Sequence, residues 1–103
     1  MRISLSESAI NDLEDIKDHY KEEGVPHIGI NFVSSIIKHI ETLPDNPEIG
    51  RMVPEFNSPK IRELIHSPFR IVYIKEGERI RVVRVWRSER LLKLSDSSND
   101  SKI

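Results

Sequence analysis

The sequence predicts an α+β fold in which a helical hairpin packs on one face of an antiparallel sheet, in the order β-αα-βββ. Two observations carry this prediction. Apolar residues recur every three or four positions through residues 7–43, as in helices that bury one face. Through residues 61–87 they alternate with polar residues or occupy both faces, as in strands. Helices that cover one side of an antiparallel sheet define the α+β class.

The N-terminal segment predicts a short strand and an amphipathic helix. Arg2–Leu5 alternates polar and apolar residues, and Ser6 is a favourable N-cap for a helix over Glu7–Glu23. Gly24 ends the helix, because the residue after a helix often needs a left-handed conformation. The buried stripe is expected to be Ala9, Leu13, Ile16 and Tyr20, and the solvent side Asp12, Asp15, Asp18 and Glu22.

A second helix is expected to begin at Pro26, which suits a first helical turn, and to end near Leu43. The short connection makes the two helices an antiparallel hairpin. Its predicted buried positions are Ile30, Phe32, Val33, Ile36, Ile37, Ile40 and Leu43. A loop follows because turn-forming residues cluster there, namely Pro44, Asn46, Pro47 and Gly50.

Two turn signals divide the next segment into three strands. Ser67-Pro68 separates the first pair, and Glu76-Gly77-Glu78 makes a tight turn before the last strand. The middle strand is apolar on both faces and is therefore expected at the centre of the sheet. Val82-Val83 breaks the alternation of the last strand, which indicates a bulge or burial on both sides. The predicted strands are Ile61–His66, Phe69–Lys75 and Ile80–Arg87.

Composition indicates one globular domain, because 37% of the residues are hydrophobic and 32% are charged. We expect the domain over residues 1–94 and a polar, flexible tail over residues 95–103. The absence of cysteine excludes disulfides and thiol chemistry. Acidic residues near the start exclude a signal peptide, and no apolar run approaches the roughly 20 residues that span a bilayer. We therefore expect a soluble, cytoplasmic protein.

Neither metal nor cofactor chemistry is predicted. The histidines lack metal-ligand spacing and are expected on the surface: His19, His27, His39 and His66. The glycines are isolated and form no phosphate-binding loop.

Charge is segregated along the chain. Residues 60–93 hold ten Lys/Arg and four Asp/Glu, whereas residues 1–59 hold five and eleven. Such asymmetry indicates a charged partner. Arg79 and Arg81, beside the glutamates of the turn, fit an ordinary solvated sheet face. The arginines of this segment are Arg62, Arg70, Arg79, Arg81, Arg84, Arg87 and Arg90.

Arg70 and Arg84 differ because they interrupt apolar faces of strands that should be interior. Each is expected to point from the open sheet face or to pair with a carboxylate such as Glu63. Guanidinium groups clustered on one face suit phosphate recognition or the stabilisation of developing negative charge.

Residues along almost the whole chain resemble the RelE/ParE superfamily of type II toxin–antitoxin toxins. The first half of the pattern consists of Ala9, Asp12, Leu13, Ile16, Tyr20, Gly24, Phe32, Val33, Ile40, Leu43 and Pro47. The second half consists of Gly50-Arg51, Val53-Pro54-Glu55, Arg62-Glu63-Leu64, Pro68-Phe69-Arg70-Ile71-Val72-Tyr73, Arg84-Val85 and Arg90. The resemblance implies a small toxin of the predicted architecture, held in a hetero-oligomer by a cognate antitoxin.

The superfamily implies two alternative activities. ParE-like members, associated with plasmid stabilisation, inhibit DNA gyrase and are not nucleases. RelE-like members cleave mRNA in the ribosome without a metal, which would assign catalysis here to Arg70, Arg87 and Arg90. Several features favour the ParE-like branch: no Tyr follows Tyr73, the formal charge is −1, and Arg87 stands where a histidine is often found. A non-toxic homologue kept for regulation is the third possibility.

The resemblance also predicts which residues contact the target or the antitoxin. They are Arg62, Glu63, Arg70, Arg84, Arg87 and Arg90.

Overall fold

A computed structural model describes residues 1–88 of the chain, so Arg90 and the predicted tail over residues 95–103 lie outside the described residues. Two helices and five strands are present in that part. They are β1 (Arg2–Leu5), α1 (Glu7–Glu22), α2 (Pro26–Ile40), β2 (Arg51–Met52), β3 (Ile61–His66), β4 (Phe69–Glu76) and β5 (Arg79–Arg87). No helix of residues 1–88 is long and apolar enough to cross a membrane.

The strands form one sheet in the order β1-β5-β4-β3-β2, with both helices packed on one face. The predicted α+β fold is therefore confirmed, and β4 lies at the centre as expected. Two features go beyond the prediction. β1 runs parallel to β5, which makes the sheet mixed, and the two-residue β2 adds an antiparallel edge next to β3.

Local signals set the helix ends. Ser6 Oγ accepts the Ala9 N–H at 3.0 Å and donates to Val83 O at 2.9 Å, so one hydroxyl caps α1 and ties it to β5. Gly24 has φ +82°, the left-handed conformation expected after a helix. α2 ends at Ile40 and not near Leu43, because the chain turns there.

The core fills the space between the helices and the sheet. The largest side chains from the sheet are Phe69, Ile71 and Tyr73, all on the helix-facing side of β4. Tyr73 also holds the loop before β2, because its hydroxyl donates to Pro47 O and accepts the Gly50 N–H. The prediction that Ile30 is buried was wrong: it is 56% exposed on the outer side of α2.

A bulge in β5 decides which side chains reach the opposite face of the sheet. Tyr73 pairs with Val82, but Val72 pairs with Arg84, so Val83 is an extra residue in β5. Of the two alternatives predicted for Val82-Val83, a bulge or burial on both sides, the structure shows the bulge. The bulge returns Arg84 to the face opposite the helices while Val85 faces the core.

Candidate functional site

The sheet face opposite the helices, called here the open face, carries a column of arginines. The alternate residues of β5 point into the core: Ile80, Val82 and Val85. The open face therefore receives three arginines of β5, Arg79, Arg81 and Arg84, together with Trp86. Arg2 of β1 adjoins Arg79 at one end of the column, and Arg70 of β4 adjoins Trp86 at the other. The two ends of this column have different surroundings.

Arg70 is buried at the centre of an ion-pair network. Its side chain is only 3% exposed, and its Nε donates to Glu63 Oε1 at 2.6 Å. Its two Nη atoms donate to the carboxylate of Glu55 at 3.1 and 3.2 Å. The other oxygen of Glu63 accepts from Arg51 Nε at 2.6 Å. The predicted pairing of Arg70 with Glu63 is therefore present, and Glu55 closes the opposite side.

These contacts change how the charged groups titrate. Burial by itself would lower the pKa of Arg70, but hydrogen bonds to Glu55 and Glu63 outweigh it and raise the pKa. The hydrogen bond from Arg70 holds the pKa of Glu55 below its usual value, although burial opposes this. Both shifts favour the charged forms of Glu55 and Arg70 at neutral pH.

Arg84 is paired with the first helix. Its Nε and Nη2 donate to the two carboxylate oxygens of Asp12 at 2.8 and 3.0 Å. The same carboxylate accepts the Val85 N–H at 2.9 Å, at an edge of β5 that β1 does not cover. The Asp12 hydrogen bond raises the pKa of Arg84. The prediction that Asp12 faces solvent was wrong, because it binds both a side chain and the backbone of β5.

Trp86 lies between the two paired arginines. The guanidinium carbon of Arg70 is 5.6 Å from the centre of the indole, and that of Arg84 is 5.2 Å away. Such contacts are cation–π interactions. We call this part of the open face the paired end. Its charged members are Arg51, Arg70, Arg84, Asp12, Glu55 and Glu63.

The opposite end of the column lacks such partners. Arg2, Arg79 and Arg81 are exposed, and within residues 1–88 none of the three forms an ion pair. We call these three residues the unpaired end. The sequence prediction treated Arg79 and Arg81 as ordinary solvated residues, and it left Arg2 out of the arginine cluster.

The other arginines predicted to contact partners lie elsewhere. Arg62 is half-buried and donates from Nη1 to Gly50 O at 2.9 Å, beside the loop before β2. Arg87 lies over the ring of Phe69 at 5.4 Å and its Nη1 is 3.5 Å from Tyr20 Oη, on the helix side of the sheet. Arg90 is outside the described residues. The fold therefore divides the predicted cluster between two faces.

A groove of about 490 Å³ runs between α1 and the C-terminal half of β5. Among residues 1–88, no strand pairs with this side of β5 beyond Val82. The groove therefore places aromatic rings and charged groups next to a strand edge on which Asp12 accepts the Val85 N–H. Its lining includes Asp12, Asp15, Tyr20, Phe69, Trp86 and Arg87.

Two of the histidines form a hydrogen-bonded chain that the sequence prediction missed. His39 Nδ1 is 2.9 Å from His66 Nδ1, and His66 Nε2 is 3.0 Å from Ser35 Oγ. Burial, and then the proximity of His39, lowers the pKa of His66. The prediction of surface histidines was wrong for this pair, which joins α2 to the end of β3. No group of three possible ligands in residues 1–88 could hold a metal ion.

Comparisons with known proteins agree with this architecture. A family model described as ParE toxin of type II toxin-antitoxin system, parDE, matches residues 3–92. The chain is also similar to a solved structure described as "Chromosomal ParDE TA system from P. aeruginosa", with 26% identity and a TM-score of 0.72. That similarity covers 84% of this chain and 95% of the other. No curated protein sequence matches the chain.

Proposed function

Because the chain belongs to the ParE toxin family of type II toxin–antitoxin systems, we propose that this toxin inhibits DNA gyrase and that a cognate antitoxin neutralises it. The gyrase target and the neutralisation by an antitoxin are inferred for this chain from its family membership. The proposed complex is a hetero-oligomer of toxin and antitoxin in the cytoplasm.

The burial of Arg70 is the observation that favours gyrase inhibition over mRNA cleavage. A ribonuclease would need a cation aimed at the charge that develops on the phosphate. Arg70 is 3% exposed, and Glu55 and Glu63 occupy its Nε and both Nη atoms. Arg87, the second candidate, packs over Phe69 on the other side of the sheet. This arrangement suits a protein that acts by binding.

The groove beside β5 is the site we propose for the antitoxin. An extended peptide can add to an exposed strand edge, where backbone hydrogen bonds supply affinity and side-chain pockets supply specificity. Arg84, Arg87 and Trp86 border that edge, and Trp and Arg are enriched among the residues that dominate binding energy. Arg70 and Glu63 contribute indirectly. Arg70 packs on the indole of Trp86, and Glu63 binds Arg70, so the pair holds Trp86 in place.

A supercoiling assay with purified gyrase and relaxed plasmid tests the proposed target. We expect the toxin to abolish supercoiling and to leave ribosome-bound mRNA intact in a primer-extension assay. Uninhibited supercoiling at micromolar toxin together with cut mRNA would contradict the proposal and favour the ribonuclease. The absence of both activities, with normal growth after induction, would instead indicate a non-toxic homologue.

Substitution of Trp86 tests the antitoxin site separately. The antitoxin would be the product of a short reading frame next to the toxin gene. Trp86→Ala is expected to weaken its binding by about 2 kcal/mol, or about 30-fold. Ile30→Ala is the matched control, because Ile30 is an exposed apolar residue outside the groove. The binding free energy is measured by calorimetry. Equal losses of antitoxin affinity for the two variants would contradict binding in the groove.

A further inference from the structure

We propose that the unpaired end of the open face, formed by Arg2, Arg79 and Arg81, binds the phosphate backbone of duplex DNA. This site goes beyond the proposed gyrase inhibition and stands whether or not gyrase is the target. Three features support this site: the placement of the arginines, their lack of ion-pair partners within residues 1–88, and the surface around them.

The sheet brings the three side chains to one surface. Arg2 and Arg79 are direct neighbours in the parallel β1–β5 pair, and Ser4 is the neighbour of Arg81. Ile80 is fully buried between the two arginines of β5, so both of them point away from the core. Neighbouring strands lie about 4.8 Å apart and alternate residues of a strand about 6.6 Å apart. The backbone positions of the three arginines therefore lie within about 8 Å of one another.

Like charges stand side by side at the unpaired end. Arg2 is the register partner of Arg79 in β1, and Glu76 is the partner of Arg79 in β4. Within residues 1–88 none of the three arginines forms an ion pair with Glu76, Glu78 or any other carboxylate. Their charges are therefore available to a ligand that supplies negative charge.

The surroundings of the unpaired end favour DNA over an acidic protein. Protein interfaces contain a desolvated apolar centre. Within residues 1–88, no exposed large apolar side chain lies on β1, β4 or β5, and the one that adjoins Arg2 in sequence is Met1. Phosphate contacts need no apolar centre, because they position a protein on the duplex through charge alone.

The acidic helix α1 also favours DNA binding by the open face. Its exposed carboxylates lie in the helical layer, on the opposite side of the sheet from the three arginines: Glu14, Asp15, Asp18 and Glu22. A charge distribution of this kind directs the open face toward a polyanion and the helices away from it. The overall formal charge of −1 hides this asymmetry.

The test is a fluorescence-anisotropy titration of the full chain with a short labelled duplex of arbitrary sequence. Each phosphate contact contributes about −0.9 to the slope of log K against log salt, so three contacts predict a slope of about −2.7 between about 50 and 200 mM salt. The Arg79→Gln/Arg81→Gln double variant should reduce the slope to about −0.9. Its affinity should fall by at least tenfold at the lowest salt.

The matched control is Lys21→Gln/Lys38→Gln, which removes the same charge from exposed helix positions. It should leave the slope at about −2.7. No binding of the duplex at low salt, or equal losses for both double variants, would overturn the proposal. Stronger binding of a poly-glutamate peptide than of the duplex, lost in the arginine variant, would also overturn it by assigning the surface to an acidic protein.

Discussion

The two ends of the open face contain the same kind of residue in opposite electrostatic conditions. At the paired end, carboxylates from α1, β3 and the loop before β3 neutralise the arginines. At the unpaired end, Arg2, Arg79 and Arg81 stand side by side without ion pairs inside residues 1–88. The number of arginines in a segment therefore does not locate an anion site. The partners of each arginine in the folded structure locate the site, because a carboxylate that pairs with a guanidinium neutralises its charge.

The largest expected effect comes from removing one partner of the buried pair at the paired end. Glu63→Gln leaves the charge of Arg70 inadequately compensated, because the Glu63 side chain is completely buried beside it. We expect a loss of about 3–5 kcal/mol in the free energy of unfolding, measured by urea denaturation. The double variant Glu63→Leu/Arg70→Met removes both charges and should recover much of the loss. A loss below about 1 kcal/mol for Glu63→Gln would contradict the network.

A smaller effect is expected at the second ion pair of the paired end, between Asp12 and Arg84. Asp12→Asn removes the charge that binds Arg84 and one of the acceptor oxygens near the Val85 N–H. The expected loss is about 1–2 kcal/mol in the free energy of unfolding, reduced by the partial exposure of Arg84. Asp15→Asn is the control on the same helix and should change it by less than about 0.5 kcal/mol. Equal effects would mean that Asp12 is a surface residue after all.

Acid should weaken the paired end of the open face. The pKa of folded Glu55 lies below 4.5, so its contribution is present above that pH and is lost as the pH falls through the folded-state pKa. At neutral pH, Glu55→Gln should cost about 1 kcal/mol or less, because Glu55 is partly exposed. This difference from wild type should vanish well below pH 4.5. His66, whose pKa is lowered by burial, is present in both proteins, so its titration cancels from the comparison.

The smallest expected effect has the opposite sign. Arg2→Gln removes repulsion from Arg79 and should raise the free energy of unfolding by up to about 0.5 kcal/mol, measured by thermal denaturation at low salt. Arg51→Gln at the paired end should instead lower it, since Arg51 binds Glu63. The stabilisation should shrink as salt is added, because salt screens exposed charges. A clear destabilisation by Arg2→Gln would show that Arg2 has a stabilising partner.

Most of the fold could be predicted from the sequence because its determinants are local. Ser6, Gly24 and the tight turn at Gly77 set element ends within one or two residues of the expected positions. The pairing of Arg70 with Glu63 was also foreseeable, since both lie in one hairpin and are seven residues apart. Strand β2 was missed because two residues give no periodicity.

The candidate site depended on contacts between distant segments, which the sequence does not display. Asp12 and Arg84 are 72 residues apart, and only the rotation of α1 above the uncovered edge of β5 brings them together. The same holds for His39 and His66, which are 27 residues apart. Arg79 and Arg81 were assigned to ordinary surface because their neighbour Arg2 comes from the other end of the chain through a parallel pairing.

NMR spectra of the arginine Nε–Hε groups test the contrast between the two ends most directly. On addition of a short DNA duplex, the signals of Arg2, Arg79 and Arg81 should shift. Those of Arg70 and Arg84 should stay in place and exchange slowly with water, because their Nε–H groups are bonded to Glu63 and Asp12. Shifts at Arg70 and Arg84, with none at the other three, would contradict the account.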